Sequence, residues 1–308
     1  MKIAILGRTQ MLLKTAELLI ASGFEIPLVV TAKAAPEYLV TEADFERFSA
    51  RIGAKYLCTN KINDYVGVLS SCDVDIGVSM NYSSTISEQI VECFKMGILN
   101  AHLGDLPKYR GNATPNWAII NGEASIPLCI QYMIGGELDS GDVVNRASKE
   151  ITDATKIGEI YDWVDEVTPG LYLETLNVLQ KNPSHILYKQ SRNPMDALRC
   201  YPRIPDDSRI NWSQSNLQIL RLVNASSRPF SGAFCFYGSE RLVVDDCELF
   251  EDSELYCAMP GQISEINRDR KYVVVITGQG KLKINRIIHN GAVVDPTMLV
   301  KSIRTRFV

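Results

Sequence analysis

Residues 2–31 read KIAILGRTQMLLKTAELLIASGFEIPLVVT, and this stretch decides the fold class. Residues 2–6 form a short apolar run that is typical of a buried strand. Residues 10–21 have the pattern of a helix that ends just before Gly23, and residues 27–31 predict a second strand. A strand, a helix and a strand in this order predict a parallel βαβ unit.

The same alternation continues through the first half of the chain. Further strands are predicted at residues 56–58, 74–78, 97–100, 127–134 and 143–147, and further helices at 42–51, 62–71, 87–94 and 156–180. The pattern predicts an α/β fold, a doubly wound, mostly parallel sheet of the Rossmann type with helices on both faces.

The pattern changes from about residue 210. A helix is predicted at residues 217–225, followed by short strands at 232–237, 241–247, 261–267, 272–277 and 281–287. Regularly spaced short strands with glycine turns predict a small OB-like β-barrel. Residues 190–198 are polar and irregular, so we predict a domain at 1–190, a linker at 191–209 and a small C-terminal domain at 210–308.

The composition is that of an ordinary globular protein, with 46% hydrophobic and 22% charged residues among 308. No run approaches the ~20 apolar residues that a membrane-spanning helix requires. The first ten residues, MKIAILGRTQ, turn polar too early for a secretory signal peptide. We therefore expect a cytoplasmic protein with no membrane partner.

Charge and cysteine content argue against two further classes. The formal net charge is −4, and residues 201–308 contain 14 Lys and Arg against 12 Asp and Glu. A nucleic-acid carrier usually has a basic face, so nucleic acid is not the expected partner. The eight cysteines include no CxxC pair, which argues against a zinc ribbon or a disulfide framework.

The turn after the first predicted strand lacks the known nucleotide fingerprints. A dinucleotide-binding loop needs glycines where this chain has Thr9 and Leu12, and no GK[ST] of a P-loop follows. The turn can still hold a phosphate through Arg8, Thr9 and the N-terminus of the next helix. The alternative is a plain connecting turn.

One of only three histidines, His102, lies two residues after Asn100 at the end of an apolar run. If the strand predicted at 97–100 continues to His102, both side chains project from the same face at its carboxyl end. An amide donor and an imidazole together suit the stabilisation of an oxyanion beside a nucleophile that loses a proton. The alternative is a structural histidine.

Residues 133–144 read MIGGELDSGDVV and supply a candidate third member of this site. Glycines on both sides of Asp139 predict a turn that can project its carboxylate into a cleft. There the carboxylate can orient His102 and relay protons. Pro107, Gly111 and Pro115 predict a long loop between the two motifs.

The two motifs carry a resemblance to a known family. NAHLGDLPKYRGNATPNWAIINGE at 100–123, followed by GGELDSGD at 135–142, resembles the signature of the folate-dependent formyltransferases. That family includes glycinamide ribonucleotide, methionyl-tRNA and nucleotide-sugar N-formyltransferases. The resemblance covers the first ~190 residues well and extends more loosely over the C-terminal barrel.

The resemblance implies roles for particular residues. The family's catalytic asparagine, histidine and aspartate fall on Asn100, His102 and Asp139. The implied folate-binding residues are Met80, Asn81, Tyr82, Ser83 and Ile86 from the segment 79–86, together with Ile134, Gly135, Gly136 and Glu137. The candidate substrate-binding residues are Arg8, Thr9, Tyr109, Arg110 and Gly111, with Trp117 expected in the core.

The chain departs from the family pattern after the histidine. The family often has a proline and then Ser-Leu-Leu, where this chain reads His102-Leu103-Gly104-Asp105-Leu106. Asp105 adds a carboxylate near the site, and none of the three chemical residues is lost.

The resemblance implies N10-formyltetrahydrofolate as the formyl donor, a primary amine as acceptor and no metal. Residues 201–212, YPRIPDDSRINW, resemble a joint found in nucleotide-sugar formyltransferases. We therefore expect a nucleotide-activated amino sugar as acceptor and a homodimer as the assembly. The alternatives are a methionyl-tRNA formyltransferase, a hydrolase of the same donor, and a non-enzymatic folate- or sugar-binding module.

Overall fold

A seven-stranded sheet forms the centre of the first unit in the computed structural model, which describes residues 1–34 and 38–308. This unit comprises residues 1–114, 126–149 and 161–201. Its sheet contains β1 (Lys2–Gly7), β2 (Glu25–Thr31), β3 (Lys55–Cys58), β4 (Ile76–Met80), β5 (Ile98–Leu103), β7 (Ser125–Tyr132) and β8 (Val143–Glu150). A two-stranded ribbon pairs β6 (Arg110–Gly111) with β9 (Arg199–Cys200).

The strand order is β3-β2-β1-β4-β5-β7-β8, and the strands from β3 to β5 are parallel. The order reverses between β1 and β4, so their carboxyl ends form the switch point at which open α/β sheets place ligands. The predicted α/β fold class is confirmed. One strand differs from the parallel pattern, because β7 runs antiparallel to β5.

Helices cover this sheet and extend into the rest of the chain. They are α1 (Gln10–Ala21), α2 (Glu42–Ile52), α3 (Val66–Ser70), α4 (Glu88–Val91), α5 (Thr114–Asn121), α6 (Ile157–Lys181) and α7 (Asn216–Ser226). Thr9 caps α1 by accepting a hydrogen bond from the Leu12 N–H, and Gly53 ends α2 in the left-handed conformation. No helix in residues 1–34 and 38–308 is both long and apolar enough to cross a membrane.

Three predicted elements were wrong in length or type. The helix predicted at 62–71 is a 3-10 turn (Ile62–Tyr65) followed by the short α3, and the helix predicted at 87–94 is only the single turn α4. The predicted long loop ends early, because α5 begins at Thr114. Pro115 lies in its first turn, where a proline removes no helical hydrogen bond.

The second unit comprises residues 115–125, 150–160 and 202–308. Its antiparallel sheet contains β10 (Ala233–Tyr237), β11 (Glu240–Phe250), β12 (Ile263–Asn267), β13 (Tyr272–Ile276), β14 (Lys281–His289) and β15 (Ala292–Val294). The core of this unit includes Trp212, Ile219, Val273, Leu282 and Phe307. The predicted domain limits at residues 190 and 210 stay a prediction.

Candidate active site

Strand β5 presents Asn100 and His102 on one face, because the two residues are separated by a single position. In the sheet register Asn100 lies beside Ser79 of β4 and opposite Gln131 of β7, while His102 lies opposite Cys129. Residues in register share a face of the sheet, so Ser79, Asn100 and Gln131 form a polar row across three strands. Burial raises the pKa of the Cys129 thiol to about 11, so this neighbour of His102 is a neutral thiol at physiological pH.

The His102 ring is held from both sides. Its Nε2 lies 2.7 Å from the Tyr109 carbonyl oxygen, and its Nδ1 lies 3.4 Å from Asp139 Oδ2. A carbonyl oxygen only accepts, so Nε2 carries the proton of this hydrogen bond. In the neutral ring Nδ1 then presents its lone pair to the carboxylate, so a hydrogen bond between these two groups needs one further proton, on the ring or on the carboxylate. The side chain is only 7% exposed, so bulk water contributes little to the orientation of the ring.

Asp139 is fixed by donors on both of its carboxylate oxygens. The Gly111 N–H donates to Oδ2 at 2.9 Å, and Gln131 Nε2 donates to Oδ1 at 3.0 Å. The residue adopts φ 49°, a left-handed conformation that aspartate tolerates better than most residues. The turn geometry expected from the flanking glycines thus brings the carboxylate to His102.

Gly104, in the segment that departs from the family pattern, lies against the contact between His102 and Tyr109. A Cβ at this position would lie 2.5 Å from the Tyr109 carbonyl oxygen and 2.6 Å from His102 Nε2. Only glycine leaves room for the hydrogen bond between these two groups. Asp105, the other residue that departs from the pattern, is exposed. Its Oδ1 lies 3.6 Å from Arg146 Nη1, so the two side chains form an ion pair.

The side-chain amide of Asn100, unlike His102 and Asp139, is not held by hydrogen bonds from the described residues. Within residues 1–34 and 38–308 it has no hydrogen-bond partner, and the residue is half-buried. An amide at the carboxyl end of a strand with its donor uncommitted can bind a developing negative charge. The arrangement therefore combines an available donor, a histidine with a defined tautomer and a fixed carboxylate.

The two predicted folate-binding segments lie against each other. The Gly136 N–H donates to the Ile86 carbonyl at 2.9 Å, and the Gly135 N–H donates to Glu88 Oε2 at 2.7 Å. The side chains of Met80 and Ile86 are buried, while Ile134 is half-buried and Glu137 is exposed. The first segment begins beside Asn100, because Ser79 at its start pairs in register with Asn100 of β5.

The polar residues of the first segment are used to hold its loop. The Tyr82 hydroxyl donates to the Thr59 carbonyl at 2.6 Å, and Ser83 Oγ donates to Asn60 at 3.3 Å. Asn81 is exposed, with φ 52°. Tyr82 is half-buried and packs against the apolar cluster under the sheet, so its aromatic ring also stabilises the loop.

The predicted substrate-binding residues divide into two groups. Arg8 lies at the switch point, where its Nε donates to the Asn81 carbonyl at 3.1 Å, its Nη1 donates to the Lys33 carbonyl at 2.9 Å, and its guanidinium lies 5.3 Å from the Tyr38 ring centre. The side chain of Thr9 is the buried cap of α1.

The second group lies around His102 and Asp139. Tyr109 is buried and offers its carbonyl to His102, and Gly111 offers its N–H to Asp139. Arg110 donates to Gln190 Oε1 from Nε at 3.2 Å and from Nη2 at 2.7 Å. Their roles as substrate contacts stay a prediction. Trp117, expected in the core, is half-buried and stacks against Arg203.

Sequence reasoning missed Gln131 and Gln190. Gln131 stands in the otherwise apolar strand segment PLCIQY, and a polar residue opposite Asn100 was a usable signal. Gln190 lies at the start of the stretch that we described as irregular and linker-like, yet its side chain is 4% exposed. A single glutamine in a polar stretch carries no pattern that could have identified it.

A metal centre is not part of the arrangement found. Across the described part of the chain, no three His, Cys, Asp or Glu side chains are grouped so that they could hold a metal ion.

Comparison with protein families gives two matches. The family model described as formyl transferase matches residues 1–176, and the model described as formyl transferase, C-terminal domain matches residues 204–304. A methionyl-tRNA formyltransferase of Alkaliphilus oremlandii is 28% identical over 296 residues, which are 94% of this chain and 93% of that protein. A second, from Alkaliphilus metalliredigens, is 30% identical over 228 residues, 73% of this chain and 69% of that protein.

Solved structures of other enzymes share the fold at low identity. The sugar 3N-formyl transferase WlaRD, solved with dTDP and 5-N-formyl-THF, has a TM-score of 0.68 at 17% identity, covering 92% of this chain and 97% of that one. An N-formyltransferase from Helicobacter canadensis, solved with folinic acid and dTDP-3-aminofucose, has a TM-score of 0.67 at 16% identity, covering 92% and 98%. HypX from Aquifex aeolicus in complex with tetrahydrofolic acid has a TM-score of 0.62 at 15% identity; 98% of this chain aligns with 47% of HypX.

Proposed function

Because this chain belongs to the formyl transferase family, we propose that it transfers a formyl group from N10-formyltetrahydrofolate to the amino group of a nucleotide-linked amino sugar. It is a folate-dependent N-formyltransferase, and a formylated folate is its one-carbon donor. The formylated folate donor follows from the family, whereas the amino-sugar acceptor is our own proposal.

The observation that carries formyl transfer is the contrast between Asn100 and its neighbours. Asn100 keeps its amide free of internal partners in the described residues, while His102 and Asp139 are each held by two groups. A simple binding site needs neither a fixed tautomer nor a carboxylate with a defined direction. Proton transfer needs both.

The residues present fit the formylated folate. Buried Met80 and Ile86 supply apolar surface, and the Gly135-Gly136 backbone lies beside them without side chains. The first segment starts at Ser79, the register neighbour of Asn100, beside which the formyl group would have to be placed. We propose that the pterin lies between these segments.

A bound formylated folate would supply an activated formyl carbon for attack by the acceptor nitrogen. As that bond forms, negative charge would develop on the formyl oxygen, to which the Asn100 amide can donate a hydrogen bond. One such donor typically contributes about 2.7–4 kcal/mol to lowering the barrier. The bond from the carbon to N10 would break as the carbonyl re-forms. Asp139 and His102 move the proton that the amine loses towards the departing N10, so atoms and charge balance.

Charge pairing in the second unit favours a small acceptor over tRNA. Lys283 pairs with Glu248 at 2.6 Å, Arg286 pairs with Asp245 at 3.0 Å, and Lys281 is buried between two carboxylates. Binding to a nucleic acid depends on cations that neutralise phosphates. Cations already matched by carboxylates are poorly suited to that task.

Arg8 is our candidate contact for the phosphates of the sugar nucleotide. Two carbonyl groups and the Tyr38 ring hold its guanidinium at the carboxyl ends of β1 and β4. An arginine has five N–H donors, so groups beyond the two that are used here can reach a phosphate oxygen. The N-terminus of α1 beside it adds a favourable field for an anion.

Methionyl-tRNA is the second candidate acceptor. It is favoured by the sequence relatives, such as the 28% identical methionyl-tRNA formyltransferase that matches over more than nine tenths of both chains. A hydrolase that releases formate from the same donor is the third possibility, and it would turn over without any acceptor.

The test is a transfer assay with N10-formyltetrahydrofolate in which tetrahydrofolate release and product mass are both measured. The acceptors are a panel of dTDP- and UDP-linked amino sugars, methionyl-tRNA, and none. A formylated sugar nucleotide supports the proposal. A formylated methionyl-tRNA or acceptor-independent release replaces it with one of the alternatives, and the absence of turnover in all arms rejects formyl transfer to these acceptors.

A further inference from the structure

Two buried glutamines connect the catalytic carboxylate to a distant part of the chain. Gln131 on β7 is 2% exposed and Gln190, which follows α6, is 4% exposed. Gln190 Nε2 donates to Gln131 Oε1 at 3.0 Å across 59 positions of sequence. Buried amides of this kind are retained only when their donors and acceptors are satisfied.

Arg110 fixes the direction of this chain of amides. An arginine side chain only donates, and two of its N–H groups point at Gln190 Oε1. The Gln190 amide nitrogen must therefore face the other way. There it lies 3.0 Å from the Asp139 carbonyl and 2.6 Å from the Gly141 carbonyl, in addition to Gln131 Oε1.

The direction continues through Gln131 to the carboxylate. Because Gln131 Oε1 accepts from Gln190, its Nε2 faces Asp139 and donates to Oδ1 at 3.0 Å. The donor-to-acceptor direction thus runs from Arg110 through Gln190 and Gln131 to Asp139. Each amide has one orientation that satisfies its neighbours, and the opposite orientation would place two acceptors or two donors against each other.

Charged groups around Asp139 come from several elements. His102 faces it from β5 and Arg110 from β6, while Glu137 belongs to the same turn and lies 3.9 Å from Arg192. Burial lowers the pKa of the Arg110 guanidinium, and the carboxylates of Asp139 and Glu137 act in the opposite direction. An arginine stays protonated at physiological pH, so Arg110 always acts as a donor and fixes the donor-to-acceptor direction of the hydrogen-bond chain.

We infer that Gln131 and Gln190 are positioning residues, which act through Asp139 by presenting a donor to its Oδ1 and so keep its Oδ2 directed at His102. The inference rests on the proposed formyl transfer and adds residues to the same site. If Gln131 loses its donor, Oδ1 is left unsatisfied and the Gly111 N–H on Oδ2 is the remaining backbone donor to the carboxylate. The carboxylate can then rotate more freely about its last torsion, so the distance from Oδ2 to His102 is less narrowly defined.

The test uses substitutions that change donors while they preserve shape. Gln131→Met removes the donor, and Gln131→Glu replaces it with a second negative charge next to Asp139. Gln190→Glu keeps the acceptor for Arg110 but removes the donor to Gln131. The matched control is Gln218→Glu, since Gln218 only accepts from Ser215 in the capping box of α7 and glutamate can do the same.

We expect kcat to fall about 10–100-fold in Gln131→Met and Gln190→Glu, with the KM for N10-formyltetrahydrofolate within about twofold of wild type. In Gln131→Glu the acid limb of the kcat–pH profile should move to higher pH, because a like charge disfavours the ionised form of Asp139. A merely structural role would lower thermal stability without moving this limb. Wild-type kcat and an unchanged profile in all three variants would overturn the inference.

A second measurement needs no acceptor and separates this inference from the proposed function. The chain has only three histidines, so ¹⁵N-histidine labelling gives an assignable spectrum. Loss of the Gln131 or Gln190 donor should shift the ring nitrogens of His102 and leave those of His185 and His289 in place. Unchanged His102 signals in these variants overturn the positioning role, whereas an inactive wild type with shifted signals overturns only the proposed transfer.

Discussion

Asn100 and Gln131 lie opposite each other on the antiparallel strands β5 and β7, and their side-chain amides differ in hydrogen bonding. Gln131 is committed on both ends, to Asp139 and to Gln190. The side-chain amide of Asn100 has no hydrogen-bond partner within the described ranges. One amide of the pair thus holds the Asp139 carboxylate, while the other is uncommitted, as the role that we propose for Asn100 requires.

The first prediction concerns the available amide. Asn100→Ala should lower kcat about 10²–10³-fold, because one preorganised donor to the formyl oxygen is lost. The unfolding free energy should change little, since no internal hydrogen bond is broken. The matched control is Asn145→Ala on β8, which should retain wild-type kcat. An equal effect of both substitutions would contradict the role given to Asn100.

The second prediction separates chemistry from binding at Asp139. Asp139→Asn preserves the shape of the side chain but removes the negative charge, so kcat should fall roughly 10²–10⁴-fold. Affinity for 5-formyltetrahydrofolate, measured by calorimetry, should remain nearly unchanged. If affinity and turnover fall together, Asp139 has a structural role.

The third prediction concerns the space at Gly104. Gly104→Ala places a methyl group between the Tyr109 carbonyl and His102 Nε2, so one of them must move. We expect kcat to fall at least about tenfold and the unfolding free energy to fall by about 1–3 kcal/mol. Gly170→Ala in α6 is the control, because its Cβ meets no atom within 4 Å and alanine favours a helix. Wild-type turnover of Gly104→Ala would show that the contact is dispensable.

The fourth prediction tests the phosphate contact assigned to Arg8. Arg8→Ala should raise the KM for the sugar nucleotide about tenfold or more and leave the KM for the folate donor unchanged, because only the acceptor carries a diphosphate there. Arg47→Ala on α2, whose guanidinium pairs with Asp44 on the surface, is the control. The idea fails if Arg8→Ala leaves the acceptor KM at its wild-type value.

The fifth prediction concerns Lys281 in the second unit, which is 3% exposed and lies 2.5 Å from both Asp252 and Glu254. Lys281→Met leaves the two carboxylates without a cation. We expect the free energy of unfolding to fall by about 1–4 kcal/mol. This range lies between the ~0–1 kcal/mol that an exposed ion pair contributes and the ~3–5 kcal/mol lost when a buried ion pair is broken. Lys283→Met on the same strand removes a lysine that is more exposed and pairs with a single carboxylate, so it should lower the free energy of unfolding in urea by at most about 1 kcal/mol.

The same lysine predicts a dependence on pH. Burial lowers the pKa of Lys281, but hydrogen bonds to Asp252 and Glu254 outweigh this effect and raise it above the ordinary value. A raised folded-state pKa stabilises the protein below the ordinary lysine pKa of about 10.4, and this contribution is lost as pH rises through the folded-state value. The stability of wild type should therefore fall more steeply in this alkaline range than that of Lys281→Met. Parallel curves would rule out the linkage.

The sequence alone was sufficient for the features that depend on local periodicity. The longer helices and the strands of the parallel half of the first sheet, the shared face of Asn100 and His102, and the turn that carries Asp139 follow from spacing within a few residues. Alternation along a strand and the conformational freedom of glycine act locally, so a single sequence contains the information.

The tertiary structure decided what depends on residues far apart in the chain. It placed β7 antiparallel to β5, began α5 at Thr114, and buried Gln190 of the apparent linker against Gln131 and Asp139. A hydrogen bond across 59 positions has no sequence period, and a glutamine reads as a surface residue until its partners are known. Asn100, His102 and Asp139 could be proposed from a local spacing, a glycine-flanked turn and a family resemblance, whereas the groups that hold them are set by long-range packing that only the folded chain defines.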